Sequence, residues 1–262
     1  MKDIEILAKE AASMAGKLVA ALLGKTAVEQ KGSSYNLITE ADRRSEELIT
    51  GFLAREMPES AILGEENHQG EKLSAERLWI IDPLDGTTNF AHTIPHFGVS
   101  VAYAEKGKLT AGAVYDPMRD ELFSAASGRG ARCNGRRIRV STSTTLGQSL
   151  IATGFYYDRA MTMEKTLRAL YWLYQEDIRC MRRMGAASLD LSWLACGRFD
   201  GYFEYTLSPW DFAAGLLVLL EAGGKASDAS GVQADLFSKG LICSNGLIHD
   251  SLLACVLAPR KF

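Results

Sequence analysis

The 262-residue chain lacks the features that mark a membrane protein or a disulfide-stabilised miniprotein. Its longest apolar stretch runs from Phe212 to Leu220, whereas a helix that spans a bilayer needs about 20 residues. Its five cysteines form no Cys-x-x-Cys pair, so we expect free thiols and no thiolate zinc site. Acidic residues stand among the first apolar residues of the chain, whereas the apolar region of a secretion signal has none. We therefore expect a cytoplasmic protein that does not contact a membrane.

An excess of charge of one sign is also missing. The net charge of −3 and a pI near 5.9 argue against a protein that coats nucleic acid. We interpret two basic groups as solvated strand faces or subunit contacts. They are Arg132, Arg136, Arg137 and Arg139, and Arg179, Arg182 and Arg183. Pro95 between His92 and His96 disfavours a helix, so these histidines are expected to be loop or packing residues.

The chain also lacks a Pro-rich linker and an internal repeat, so we expect a single domain over residues 1–262. Residues 1–145 form an N-terminal α+β half, with an antiparallel meander between residues 99 and 140. Residues 146–262 form a C-terminal α/β half in which helices and strands alternate. Helices are predicted at residues 4–24, 39–56, 161–175, 186–196, 211–222 and 247–257. The fold class is therefore α+β, with helices layered on sheets.

The most informative segment follows the short apolar strand predicted at residues 78–81. This strand is expected to end directly in Asp82 and Asp85, with Pro83 between them and Gly86 just after. Two carboxylates this close repel each other unless a cation lies between them, and Mg²⁺ prefers oxygen ligands of this kind. The alternative is an Asx-type turn, because Asp-Pro and Asp-Gly are common turn dipeptides.

Two further segments place acids beside predicted elements. Glu65 follows the strand predicted at residues 61–63, and Asp211 stands at the start of an apolar helix. An acid at a helix start also caps free N–H groups, so capping and metal ligation are equally good interpretations of Asp211. Together with Asp82 and Asp85, these acids predict a carboxylate cluster for more than one metal ion.

The three segments, in this order and at these spacings, resemble the inositol monophosphatase family. The resemblance covers essentially the whole chain. It rests on residues 64–66, 82–90 and 210–215, with Thr39-x-x-Asp42 upstream and Gly185, Ala186, Ala187 and Glu204 in the second half. The family implies a layered α/β/α/β/α sandwich of the sugar phosphatase type. It also implies a Mg²⁺-dependent, lithium-sensitive phosphomonoesterase that is usually a homodimer.

The resemblance assigns roles by position. The metal ligands that it implies are Glu65, Asp82, Asp85, Asp211 and the backbone carbonyl of Leu84. The substrate-binding residues that it implies are Gly86, Thr87 and Thr88 on the phosphate side, and Gly185, Ala186, Ala187, Glu204 and Asp211 on the alcohol side. Asp42 and Thr87 would activate water together with Glu65. Asp42 is also explained as half of a capping box with Thr39.

The implied mechanism is attack by metal-activated water with two or three Mg²⁺ ions, for which Mn²⁺ could substitute and which Li⁺ would inhibit. The expected substrate is myo-inositol monophosphate or a similar small polyol phosphate. Alternatives are histidinol phosphate, fructose 1,6-bisphosphate and 3′-phosphoadenosine phosphates, or a non-enzymatic role as a transcription-associated binding protein. Ser208, where many relatives carry a basic residue, and the unmatched loop at residues 155–159 leave the substrate open.

Overall fold

The computed structural model describes residues 3–30, 37–67, 73–155 and 160–257. The sequence from residue 25 to 36, rich in Lys, Gly and Ser, predicts a loop, but residues 28–30 form a strand, and residues 31–36 lie outside the described part. Residues 156–159 of the unmatched loop also lie outside it. The helices are α1 (Ile4–Leu22), α2 (Glu40–Glu56), α3 (Thr87–Ala91), α4 (Met161–Gln175), α5 (Ala187–Ala195), α6 (Pro209–Glu221) and α7 (His249–Val256). The first nine strands are β1 (Val28–Gln30), β2 (Leu37–Thr39), β3 (Ala61–Gly64), β4 (Arg77–Asp85), β5 (Gly98–Glu105), β6 (Lys108–Asp116), β7 (Glu121–Ala126), β8 (Ala131–Cys133) and β9 (Arg136–Arg137). The last five are β10 (Leu150–Thr153), β11 (Cys180–Arg182), β12 (Gly201–Glu204), β13 (Lys225–Ser227) and β14 (Leu241–Ser244).

The first half is built on a seven-stranded sheet in the order β3-β4-β5-β6-β7-β8-β9. Strands β3 and β4 are parallel, and the remaining pairs are antiparallel, as the meander predicted. Side chains alternate between the two faces of the sheet. Trp79 and Val101 pack in the core that contains α1 and α2, whereas Ile80 and Ala102 pack in the core that contains α5 and α6.

The second half is built on a five-stranded sheet in the order β11-β10-β12-β14-β13. Helices α5 and α6 share one core with both sheets, while α4 and α7 pack in a third core against the outer face of the smaller sheet. The layers are therefore α/β/α/β/α, and the predicted fold class is confirmed. No helix within the described ranges is long and apolar enough to cross a membrane.

The structure corrects the prediction that a strand ends at the acids. Strand β4 continues through Asp82 to Asp85, because the polar end of the strand is sheltered between α2 on one face and α5 on the other. Strands β1, β2, β13 and β14 were not predicted. All four are short, and β14 is buried at every position, so it shows no alternation of apolar and polar residues.

Candidate active site

A β-bulge brings Asp82 and Asp85 to the same face of the sheet. Asp82 pairs with Ser100 and Asp85 with Gly98, so three residue steps on β4 match two on β5. In a regular strand, residues three apart point to opposite faces, and the additional residue of a bulge cancels this alternation. The Ser45 hydroxyl on α2 holds the bulge by donating to the carbonyl of Pro83 at 2.7 Å. The local geometry thus places both carboxylates on one side.

The start of α2 holds Asp42 behind Thr87. Asp42 Oδ2 accepts a bond from the Thr39 N–H at 2.7 Å, which is one half of a capping box, and a separate bond from the Thr39 hydroxyl at 2.5 Å. Asp42 Oδ1 lies 3.0 Å from Thr87 Oγ1, which is also 3.1 Å from the carbonyl oxygen of Leu84. Both interpretations of Asp42 therefore describe real contacts: it caps α2, and it accepts from Thr87.

The turn that carries Glu65 is held by Glu46, a fully buried residue of α2. Glu46 Oε2 accepts from the N–H of Glu66 at 2.8 Å, and Oε1 accepts from the N–H of Asn67 at 2.7 Å. A Cβ at Gly64 would approach the Glu46 carboxyl carbon to 3.0 Å, so the glycine allows this close fit. Glu46 thereby determines where Glu65 stands.

Two of the acids also cap helices of the second half. Asp85 Oδ2 accepts from the N–H of Ser188 at 2.7 Å and from its hydroxyl at 2.5 Å, at the start of α5. Asp211 Oδ2 accepts from the N–H of Ser208 at 2.6 Å, at the start of α6. For Asp211, the capping interpretation is thus realised, and it leaves ligation by the same carboxylate open.

The opposite side of the site is formed by the turn before α5 and by the end of β12. Asn89 links this turn to the phosphate-side turn, because its side-chain amide donates to the carbonyls of His96 and Met184, both at 2.8 Å. Glu204 Oε2 accepts from the hydroxyl of Tyr202 at 2.6 Å. A Cβ at Gly154 would lie 1.8 Å from the same oxygen, so only glycine leaves room for this carboxylate.

All of these parts surround one cavity of about 320 Å³. The predicted residues that line it are Glu65, Asp82, Leu84, Asp85, Gly86, Thr87, Thr88, Gly185, Ala186, Ala187, Glu204 and Asp211. Asp42 does not line the cavity and reaches it only through Thr87. Residues that sequence reasoning did not single out include Ser45, Glu46, Asn89, Ser188 and Asp190. Ser45 and Glu46 could have been found from the sequence, because they are polar residues one turn beyond Asp42 on the inward face of α2, where apolar residues are expected.

The acids of the cavity are buried and close to one another, so ionising their carboxyl groups costs free energy. Burial raises the pKa of Asp82 well above its ordinary value, and the negative charges of Glu65, Asp85 and Asp211 raise it further. Burial likewise raises the pKa of Asp85 to about 6, although the bonds from Ser188 oppose this rise. Burial raises the pKa of Glu204 to about 7, opposed by the bond from Tyr202. Positive charge brought into the cavity would lower all of these pKa values.

The donor chemistry of the cavity fits a hard divalent cation. Carboxylates and one backbone carbonyl converge on it without histidine or cysteine, and oxygen ligands of this kind suit Mg²⁺. No three His, Cys, Asp or Glu side chains in the described part of the chain are gathered closely enough to hold an ion as they stand. The acids line one cavity but do not form a preassembled coordination shell.

The structure thus combines an α/β/α/β/α sandwich with an acid-lined cavity to which both halves of the chain contribute. The model of the inositol monophosphatase family matches residues 1–260, and the chain belongs to that family. Family membership supports a phosphatase, and the family is in general Mg²⁺-dependent.

Named relatives agree on the family. The chain is 42% identical over 257 residues to an inositol-1-monophosphatase of Synechocystis, covering 98% of this chain and 89% of the relative. It is 40% identical over 251 residues to the Nus factor SuhB of Escherichia coli, covering 95% and 93%. The solved structure of an IMPase from Thermotoga maritima superposes with a TM-score of 0.89 at 36% identity, covering 97% of each chain.

Proposed function

We propose that the chain is a Mg²⁺-dependent phosphomonoesterase that hydrolyses myo-inositol monophosphate or a similar small polyol phosphate. The observation that carries this proposal is the single cavity into which three separate acidic segments and Glu204 converge. Its volume of about 320 Å³ suits one small sugar phosphate. The acids provide ligands for cations at one end, and Glu204 provides an acceptor for hydroxyl groups at the other.

Glu65, Asp82, Asp85, Asp211 and the carbonyl of Leu84 would hold the Mg²⁺ ions. When bound, Mg²⁺ supplies charge neutralisation to the phosphate and lowers the pKa of water. The turn at Gly86, Thr87 and Thr88 would receive the phosphate oxygens. Gly86 has φ +94°, and a Cβ there would lie 3.2 Å from the carbonyl oxygen of His96, so a larger residue would distort this turn.

Thr87 and Asp42 would orient the attacking water and take its proton. Because the Thr87 hydroxyl donates to Asp42 Oδ1, a lone pair of Thr87 Oγ1 is left to accept a hydrogen bond from water. As water attacks phosphorus, its proton would move to Thr87 Oγ1 while the threonine proton moves to Asp42 Oδ1. Burial raises the pKa of Asp42, which makes it a better proton acceptor. The phosphorus–alcohol bond then breaks, and the leaving oxygen is protonated by solvent.

A phosphate-release panel tests this function. With Mg²⁺, we expect the highest kcat/KM for myo-inositol monophosphate among four substrates, the others being histidinol phosphate, fructose 1,6-bisphosphate and 3′-phosphoadenosine 5′-phosphate. EDTA should abolish release from all of them, and Mn²⁺ should restore it in part. Release that is insensitive to EDTA would contradict the metal ligands proposed here, and preference for another member of the panel would reassign the substrate.

A role in transcription is the second candidate, and the 40% identity to a protein named Nus factor SuhB favours it. Exposed arginines on the β8–β9 hairpin, Arg132, Arg136 and Arg137, would be the contacts for RNA or for a protein partner. An RNA shift that weakens steeply with added salt would support this role. We also propose a homodimer, which light scattering after size exclusion would test.

A further inference from the structure

Asp190 is a buried acid whose position no mechanistic role above explains. It lies in the first turn of α5, is only 1% exposed and lines the cavity. Its Oδ1 atom has no hydrogen-bond partner among the described residues. A buried carboxylate without a partner is costly, because it has lost its water without gaining a replacement. An acid at this position therefore needs a reason beyond packing.

Helix capping, the usual structural role of an acid in a first helical turn, is already filled at α5 by another residue. Such acids interact with the free N–H groups at the helix start. At the start of α5, Asp85 takes this part, because its Oδ2 accepts both the N–H and the hydroxyl of Ser188. Asp190 makes no ion pair within the described part of the chain either. Among the described residues that line the cavity, Arg183 is the cationic one; it is exposed, and its charge lowers the pKa of Asp190 without forming an ion pair.

The surroundings of Asp190 are those of the alcohol side of the cavity. Asp190 follows the turn at Gly185, Ala186 and Ala187 on α5. Burial raises the pKa of Asp190 well above its ordinary value, the charges of Asp85 and Glu204 raise it further, and Arg183 opposes them. The Glu204 carboxylate is itself held by Tyr202 and by the space at Gly154. Two acceptor groups therefore stand on this side, one anchored by a tyrosine and one unpartnered. We propose that Asp190 is a further substrate-binding residue, whose free carboxylate oxygen accepts a hydrogen bond from a hydroxyl group of a polyol monophosphate.

This proposal rests on the phosphatase function and adds a selectivity to it. A substrate with several hydroxyl groups would satisfy both Glu204 and Asp190. A monoester of the same size without hydroxyl groups would leave Asp190 buried and unpaired, and sites with unsatisfied polar groups discriminate strongly. The alcohol side should therefore select polyhydroxy alcohols over apolar ones by means of Asp190 as well as Glu204.

The test compares myo-inositol 1-phosphate with cyclohexyl phosphate, which has the same ring without hydroxyl groups. Both are assayed with Mg²⁺ for the wild type, Asp190→Asn and Asp190→Ala. A lost hydrogen bond predicts a fall in kcat/KM of about tenfold for the inositol ester with Asp190→Ala, mainly in KM. Asp190→Asn should show a smaller fall, because its amide oxygen can still accept a bond. For cyclohexyl phosphate we expect a change of about twofold at most, because this ester makes no bond to Asp190.

Asp200→Asn is the matched control. Asp200 is also a buried acid, but it lies outside the cavity and accepts from Ser141 Oγ at 2.6 Å and from the N–H of Leu150 at 2.7 Å. This variant should change both substrates by the same factor. Equal losses on both esters with Asp190→Ala, or no loss on either, would overturn the proposal. A wild-type chain that releases phosphate from no monoester would instead refute the phosphatase function on which the proposal rests.

Discussion

Replacing Asp85 by asparagine should stabilise the metal-free protein while it destroys activity. Burial raises the pKa of this carboxyl from its ordinary 3.8 to about 6. Each pKa unit corresponds to about 1.4 kcal/mol, so ionised Asp85 costs the folded state about 3 kcal/mol at neutral pH. Both bonds from Ser188 go to one oxygen of Asp85, and an asparagine carbonyl can accept them. The substitution therefore removes the cost and retains the contacts.

The gain in stability of Asp85→Asn over the wild type should depend on pH. Well below pH 3.8 the carboxyl carries its proton in both the folded and the unfolded state, and wild type and Asp85→Asn should still differ little at about pH 4. As the pH rises from about 4 to about 6, the unfolded chain releases this proton while the folded wild type retains it. The stability of the wild type therefore falls relative to the variant, and the difference is complete above about pH 6. Urea unfolding in EDTA at pH 4 and pH 7.5 measures this difference, which should reach about 3 kcal/mol at the higher pH.

Mg²⁺ should reverse the order of stability of wild type and Asp85→Asn. A cation that binds only the folded state stabilises it by about 4.1 kcal/mol at about 1,000 times its Kd, which exceeds the variant's advantage of about 3 kcal/mol, and the variant lacks one of the proposed ligands. Turnover by Asp85→Asn should fall by several orders of magnitude. Asp200→Asn serves again as a control, because it removes a buried acid outside the cavity and should lower stability at both pH values. A variant less stable than wild type in EDTA at pH 7.5, or one with near-wild-type hydrolysis, would refute the reasoning.

Four further predictions concern ions and positioning. Added LiCl, but not equal NaCl, should suppress Mg²⁺-supported phosphate release, and equal responses to both salts would contradict the acids' proposed role. Glu204→Gln should lower kcat/KM more for a polyol phosphate than for an aryl phosphate, whereas identical losses would assign Glu204 to folding or to the hydrolytic step. Gly154→Ala should reproduce that selective loss, because its Cβ would displace the Glu204 carboxylate; an unchanged KM for the polyol ester would argue against it. Glu46→Gln should raise the Mg²⁺ concentration for half-maximal activity, since it weakens the bonds that hold the Glu65 turn. An unaltered Mg²⁺ requirement would show that the turn keeps its position without these bonds.

Local patterns were sufficient to predict the layered fold and most of its helices. The capping box at Thr39 and Asp42 defined the start of α2, and alternating strands with turn residues defined the meander. Strand β14 was missed because a short strand buried on both faces has no alternation to detect. The bulge in β4 was missed because its cause is not local: it depends on the pairing with β5 and on the bond from Ser45.

The residues of the candidate site also divide into those that the sequence could predict and those that it could not. Acids that follow apolar runs, such as Asp82 and Glu65, stand out in the sequence because charge is unexpected there. Asp190 and Ser188 do not stand out, because an acid and a serine in the first turn of a helix are ordinary. Only tertiary structure shows that Asp85 already caps α5 and that Oδ1 of Asp190 has no hydrogen-bond partner among the described residues.

The two ends of the cavity come from different halves of the chain. In the proposed function, residues between 42 and 88, together with Asp211, form the phosphate end, while residues between 154 and 211 form the alcohol end; Asn89 ties the two turns together. Mutations in the second half would then alter which alcohol is accepted with little effect on the groups that act on the phosphate. Such a division favours evolutionary divergence, because new substrates can be acquired while the hydrolytic chemistry is inherited intact.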